Sequence, residues 1–225
     1  DLHTAYRRQR QMCIRDSFLM DATTGQVLVN HNGDLSLPPA SLTKIMTSYV
    51  LAEEVDAGRA SLDDMIKVSR NAWSQNPIFN GSSLMWIEPG KPVSLADLER
   101  GVVISSGNDA SVAVAEHLAG TESSFVDVMN QLAAELGLDN TVYRNPHGLP
   151  HPEHRTTARD LATLSVALIN GHPEHYKIYK EQSFTYNGIK QYNRNSLLRS
   201  DATVDGLKTG YTSEAGLRVG RVRTT

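Results

Sequence analysis

The chain has 225 residues, is 40% hydrophobic and 21% charged, and so holds one large domain or two small ones with a real core. A formal net charge of −3 gives no broad basic surface and leaves a nucleic-acid-binding role unsupported. No apolar run approaches the roughly 20 residues that cross a bilayer, and the one cysteine, Cys13, excludes an internal disulfide.

Residues 1–16 are basic and polar and lack the apolar core and cleavage site of a signal peptide. They read as a disordered or non-native leader. Beyond them the chain has no thiol, which suits an oxidising compartment. Ser17 to Asn30 predicts a hairpin, with Ala-Thr-Thr-Gly as the turn between two apolar runs. Pro38 and Pro39 then hold the chain extended. Leu42, Ile45, Met46, Tyr49, Val50 and Leu51 recur at helical spacing with one face buried. Ser41 therefore stands at or just inside a helix N-terminus, with Lys44 one turn along. Gly58 supplies a left-handed stop.

Residues 61–69 predict one short element, and residues 71–91, rich in Asn, Ser, Gly and Pro, a loop. Ser94 opens a helix that runs to Ile104 and stops at a corner, Ser105-Ser106-Gly107-Asn108. A second helix follows from Asp109 to Leu118, and a third, amphipathic, from Ser124 to Leu136. Thr157 caps a helix over 158–169. Asn187-Gly188 between two alternating runs predicts a hairpin. Residues 207–211 predict a short strand carrying Lys208, Thr209 and Gly210. Strands at both ends around a run of helices predict an α+β fold, with a sheet assembled from both chain ends beside a helical subdomain.

A hydroxyl at the positive end of a helix with an amine one turn away has the parts of an activated nucleophile. Ser41 and Lys44 alone are better described as an ordinary N-cap and a solvated lysine. Likewise Ser106 and Asn108 alone describe helix caps, and Lys208-Thr209 a solvated strand. Taken together and in this order, Ser41-x-x-Lys44, Ser106-Gly107-Asn108 and Lys208-Thr209-Gly210 are a combination recognised for penicillin-binding proteins and class A β-lactamases.

The surrounding sequence extends the likeness: Leu-Met-Asp-Ala-Thr-Thr-Gly-Gln-Val-Leu, Pro-Pro-Ala-Ser-Leu-Thr-Lys-Ile-Met-Thr, Gly-Ser-Ser-Leu-Met, Ser-Gly-Asn-Asp-Ala, Phe-Thr-Tyr-Asn-Gly-Ile and Val-Asp-Gly-Leu-Lys-Thr-Gly. From about Ser17 to Gly216 the chain resembles low-molecular-mass penicillin-binding proteins of the serine-type D-alanyl-D-alanine carboxypeptidase family. The resemblance implies a penicillin-binding-protein/β-lactamase-like transpeptidase fold, an antiparallel sheet with helices plus a helical subdomain. It forms a catalytic domain over residues 17–225 that reads as C-terminally incomplete, because Leu217 to Thr225 is unlike the family's continuation.

The same resemblance implies the chemistry. Ser41 would attack the carbonyl between two terminal D-alanines and form an acyl-enzyme, Lys44 would take the hydroxyl proton, and Ser106 would relay a proton to the leaving amine. Asn108 would hold the substrate backbone, while Lys208 and Thr209 would receive its free carboxylate. Gly210 would let the substrate lie as an added strand. The backbone N–H groups of Ser41 and Tyr211 would form the oxyanion hole, and Arg194 would flank the cleft. No metal or other cofactor is implied. The implied partners are peptidoglycan stem peptides ending in D-Ala-D-Ala and β-lactam antibiotics as covalent inhibitors, with no nucleic acid. Membrane contact is expected only through a C-terminal anchor outside this sequence. The implied location is extracytoplasmic, in the bacterial periplasm or on the outer face of the cytoplasmic membrane.

Tyr211 departs from a histidine common in the family, leaving the backbone role intact. A β-lactamase would need a Glu with a nearby Asn on the loop after the second motif, and Glu153 lacks the expected Leu-Asn after it. A D,D-endopeptidase or transpeptidase would share the site, and a catalytically silent peptidoglycan-binding module would keep only the fold. His147, His151 and His154 lack the helical spacing of a zinc site and read as loop histidines. His-Pro-Glu-His occurs at 151–154 and again at 172–175, which is read as coincidence.

Overall fold

The computed structural model describes residues 15–212, 216–220 and 222–223. The leader expected over 1–16 lies, up to residue 14, outside the described residues. The first hairpin pairs Ser17–Met20 (β1) with Val27–His31 (β2), and the Asp21 carboxylate closes its turn by accepting the N–H groups of Thr23 and Thr24, both at 2.8 Å. A 3₁₀ turn at Ala40–Leu42 then leads into Thr43–Asp56 (α1). Every residue of α1 from Thr43 through Ala52 is buried. The one-faced helix expected from the apolar spacing is thus covered on all sides. Its polar side, with Thr43, Lys44 and Thr47, lies under the loop that follows residue 144. Gly58 takes the expected left-handed conformation, φ +70°.

Met65–Ile66 (β3) pairs with Val93–Ser94 (β4), and Ser94 caps Leu95–Arg100 (α2) by accepting the Asp97 N–H at 3.1 Å. The helix expected to reach Ile104 instead widens at Gly101–Ser105 into a π turn, which ends on Ser106 in the left-handed region, φ +61° and ψ +35°. Gly101 permits the widening, because a Cβ there would stand 2.3 Å from the Met85 sulfur. Asn108–Ala119 (α3) starts at once. Glu122–Glu135 (α4) begins two residues ahead of the expected Ser124, because Thr121 takes the cap. Ala158–Gly171 (α5), capped by Thr157 as expected, is followed by the short Pro173–Tyr176 (α6).

Ser183–Tyr186 (β5) and Ile189–Tyr192 (β6) form the expected hairpin around Asn187-Gly188. After Leu197–Ser200 (α7) come Val204–Gly206 (β7), Thr209–Thr212 (β8), Gly216–Val219 (β9) and Val222–Arg223 (β10). Lys208 therefore stands in a two-residue break between β7 and β8 and not within one strand. The break is held by Leu207 N–H to the Gly220 carbonyl at 3.0 Å and Gly220 N–H to the Lys208 carbonyl at 2.8 Å. Among the described residues the ladders are five antiparallel pairs: β1–β2, β3–β4, β5–β6, β7–β10 and β8–β9. No described ladder joins the two chain ends. The first hairpin is tied to α5 instead, where Arg159 stacks 4.7 Å over Phe18 and binds Asp34 at 2.6 and 3.0 Å.

Ile45, Met46, Val50 and Leu51 of α1 meet Val112 and Val114 of α3, Phe125 and Met129 of α4, and Leu164 and Leu168 of α5 in one core. Burying each such large side chain contributes about 2 kcal/mol. The C-terminal end of α1 adds a polar knot. His172 Nδ1 lies 2.6 Å from Asp56 and its Nε2 3.2 Å from Glu53. His175 Nδ1 lies 2.5 Å from Glu99, which is 1% exposed. Burial pushes the His175 pKa down, but Glu99, Asp56 and Glu174 outweigh it, and the net shift is upward.

Candidate active site

The start of α1 is the centre of the site. Ala40 has φ +51°, a left-handed value that turns the extended proline segment into the helix. One turn on, Lys44 is fully buried, and its described contacts are all to uncharged oxygens. Its Nζ lies 2.6 Å from Asn108 Oδ1, 2.6 Å from the His147 carbonyl and 3.3 Å from Ser41 Oγ. Burial, and next the charge of Lys208, push the Lys44 pKa well below the usual lysine value, with Asp109 acting weakly the other way. A neutral amine has two N–H donors and one lone pair. The two short contacts, to acceptor-only oxygens, take both donors. In the neutral form the lone pair would then face the Ser41 hydroxyl.

Ser106 and Asn108 do not cap α3 with their side chains. The left-handed corner carries Ser106 to the cleft, where its Oγ accepts from Lys208 Nζ at 2.9 Å; the same Nζ donates to the Thr209 carbonyl at 3.1 Å. Lys208 is 2% exposed, and burial, followed by the nearby Arg194 guanidinium, brings its pKa down to about 7. Gly210 lets β8 lie against the start of α1. A Cβ there would stand 3.1 Å from Ser41 N and 3.2 Å from Leu42 N. Tyr211 next to it is 70% exposed. The structure thus joins Ser41, Lys44 and Asn108 directly, and Ser106 with Lys208, and runs Thr209, Gly210 and Tyr211 along the adjoining strand. Arg194 is exposed and reaches the group through its charge on Lys208.

Several members of the site do not stand out in the sequence. Asp109 is one. Its Oδ1 accepts the N–H groups of Met85 and Ala110 at 2.8 and 2.9 Å, and its Oδ2 those of Trp86 and Ile87 at 2.8 and 3.2 Å. Burial raises its pKa against the pull of those four donors. This carboxylate pins the 83–87 loop, which also accepts the Asn108 N–H on the Ser83 carbonyl at 2.9 Å and the Gln191 side chain on the Met85 carbonyl at 2.9 Å. The only local signal is an acid directly after Ser106-Gly107-Asn108. The loop 145–154 is another. It covers α1 through Thr47 Oγ1 to the Pro146 carbonyl at 2.6 Å, Lys44 to His147, and Thr43 to His154. Its three histidines are engaged separately: His147 beside Glu122 at 3.6 Å, His154 on Thr43, and His151 accepting the Glu153 N–H.

A sequence profile described as D-alanyl-D-alanine carboxypeptidase matches residues 4–221. The chain belongs to the D-alanyl-D-alanine carboxypeptidase family. It is similar to D-alanyl-D-alanine carboxypeptidase DacC of Escherichia coli, 51% identical over 200 residues that cover 88% of this chain and 50% of that protein. Among solved structures it is similar to penicillin binding protein 5 from Haemophilus influenzae, with TM-score 0.91 and 45% identity, covering 94% of this chain and 61% of that one. Penicillin binding protein 6B from Escherichia coli gives TM-score 0.86 and 50% identity, covering 89% and 64%. The fold is accordingly the α+β fold of penicillin-binding proteins. The chain spans about half the length of the curated relatives it matches.

Proposed function

We propose that residues 17–225 form the catalytic domain of a serine-type D-Ala-D-Ala carboxypeptidase, which removes the terminal D-alanine from peptidoglycan stem peptides. The observation that carries the reading is Lys44: a buried amine whose pKa is pushed well below the usual lysine value, held by short contacts to Asn108 and the His147 carbonyl with its Nζ 3.3 Å from Ser41 Oγ.

The chemistry runs in two halves. Ser41 Oγ attacks the carbonyl of the penultimate D-alanine while Lys44 Nζ takes its proton. Negative charge develops on the carbonyl oxygen, and the backbone N–H groups of Ser41 and Tyr211 receive it. Losing one such donor costs about 100-fold or more in rate. Ser106, hydrogen-bonded to Lys208, gives its proton to the nitrogen of the departing D-alanine and is resupplied with the proton that Lys44 took, which leaves Lys44 a free base for the second half. Asn108 steadies the substrate backbone. Lys208 and Thr209 hold the free carboxylate, with Arg194 adding positive charge nearby. Water then adds to the ester, Lys44 again taking its proton, and releases the shortened peptide and the free Ser41 hydroxyl.

A β-lactam offers a strained amide in place of the D-Ala-D-Ala bond and would acylate the same serine. This fits the two solved relatives, both penicillin binding proteins. The substrate class places the protein outside the cytoplasm. Among the described residues no helix is long and apolar enough to cross a membrane. Against a β-lactamase, Glu153 is exposed and paired with Arg144 at 3.2 Å, which does not suit a base that holds a deacylating water in the cleft.

The test is incubation with a labelled penicillin and mapping of the adduct by mass spectrometry. One adduct on Ser41, absent from Ser41→Ala, is expected. No adduct on the folded protein overturns the enzyme reading, and rapid turnover of the adduct moves it to a β-lactamase.

A further inference from the structure

Behind the nucleophile a chain of three hydrogen bonds leads away from the cleft. The Arg144 N–H donates to His154 Nδ1 at 3.2 Å. The proton of that ring must then sit on Nε2, which lies 2.8 Å from Thr43 Oγ1 and donates to it. The Thr43 hydroxyl, having accepted, gives its own proton to the Ala40 carbonyl at 2.8 Å. His154 is 2% exposed and Thr43 fully buried, so water does not compete for these bonds. Burial, then the neighbouring His147, His151, Arg144 and Lys44, bring the His154 pKa down to about 3, and the ring stays neutral.

The acceptor at the end of this chain matters. The Ala40 carbonyl and the Ser41 N–H are the two ends of one peptide unit. A trans peptide is planar, and its C=O and N–H point in opposite directions. Whatever fixes the carbonyl therefore aims the N–H. Ala40 has φ +51°, which an alanine does not hold without support. Gly148 lies against the same carbonyl and the Thr43 hydroxyl: a Cβ there would stand 1.9 Å from the Ala40 oxygen and 2.9 Å from Thr43 Oγ1. On the opposite face of the peptide unit lies the cleft, where Gly210 approaches Ser41 N.

We propose that His154, acting through Thr43, is a positioning residue that orients the Ala40–Ser41 peptide so that the Ser41 N–H points into the oxyanion site. Donation into the carbonyl also polarises the peptide and makes that N–H a better donor. The inference rests on the catalytic reading above. His154 touches no reacting atom.

The experiment measures the acylation rate constant with labelled penicillin per folded molecule, beside the thermal midpoint, for four variants of the 225-residue chain. His154→Leu and Thr43→Val each lower the constant about tenfold, and their combination lowers it no further, because both cut one chain. His154→Gln, whose amide N–H replaces the donor, stays within about threefold of the parent. With a D-Ala-D-Ala peptide kcat falls while KM holds, since the oxyanion forms after binding. Parental rates in His154→Leu and Thr43→Val with only a lowered midpoint overturn the proposal, as do additive losses or a Gln variant as slow as Leu. If His154→Leu does not fold, the near-isosteric Thr43→Val decides alone. A parent chain that forms no adduct overturns the catalytic reading itself.

Discussion

The two ends of α1 bury ionisable groups in opposite ways. At the C-terminal end Glu53 and Asp56 meet His172, and Asp56 and Glu99 flank His175, so acids and histidines are placed together. At the N-terminal end Lys44 meets Asn108, a backbone carbonyl and Ser41, with a second buried cation, Lys208, adding to the stress. The same helix thus supports a knot of acids and histidines at one end and a pair of buried lysines at the other. Burial and a neighbouring cation push the Lys44 pKa well below the usual lysine value, which is the state a general base needs. Burial alone does not mark a functional group; burial without a counter-charge does.

This contrast breaks most sharply at Lys44. An arginine there stays protonated, so Lys44→Arg imposes a permanent charge and loses the base. Acylation of Ser41 is expected to fall about 1,000-fold or more, read from adduct formation. If the cation itself were the working feature, Lys44→Arg would retain most of the rate. At the other end His175→Leu strands Glu99 without its partner. The expected cost is about 3 kcal/mol of stability in denaturant unfolding, with the acylation rate per folded molecule unchanged. The His175 contribution is complete below the ordinary histidine pKa and fades as the pH rises through the higher folded value.

Lys208 sharpens the comparison within the site. With its pKa brought to about 7, it loses its charge as the pH rises through neutrality. KM for peptides with a free carboxylate should therefore rise about tenfold from pH 6 to pH 8, and KM for the matching peptide amides should not. Equal pH dependence for both would remove Lys208 from carboxylate recognition. The smallest effect is at Gly58, which ends α1 at φ +70° with open space where a Cβ would sit. Gly58→Ala should cost about 1 kcal/mol in thermal or denaturant unfolding and nothing in rate.

What the sequence makes legible follows range. The Ser41–Lys44 relation depends on helical spacing, a local property, and both the spacing and the cap at Thr157 appear as expected. The state of Lys44 does not, because it depends on residues 108, 147 and 208, brought in from far along the chain. Helical periodicity suggests one buried face for α1, and only the return of loop 145–154 shows why the polar face is buried too. The π turn at 101–105 has no pattern of its own and is dictated by packing against Met85. Asp109 sits beside a recognised motif, yet three of its four partners lie 22 to 24 residues away.

Trp86 has one more consequence. It is 55% exposed, stands at φ +71°, and its N–H is held by Asp109, one residue past the Asn108 that binds Lys44. The only other tryptophan is Trp73. An exposed indole on the loop that Asp109 pins is an optical gauge. In a Trp73→Phe background, emission from that single ring would report loop movement in real time, turning occupancy of the site into a fluorescence signal that needs no labelled drug.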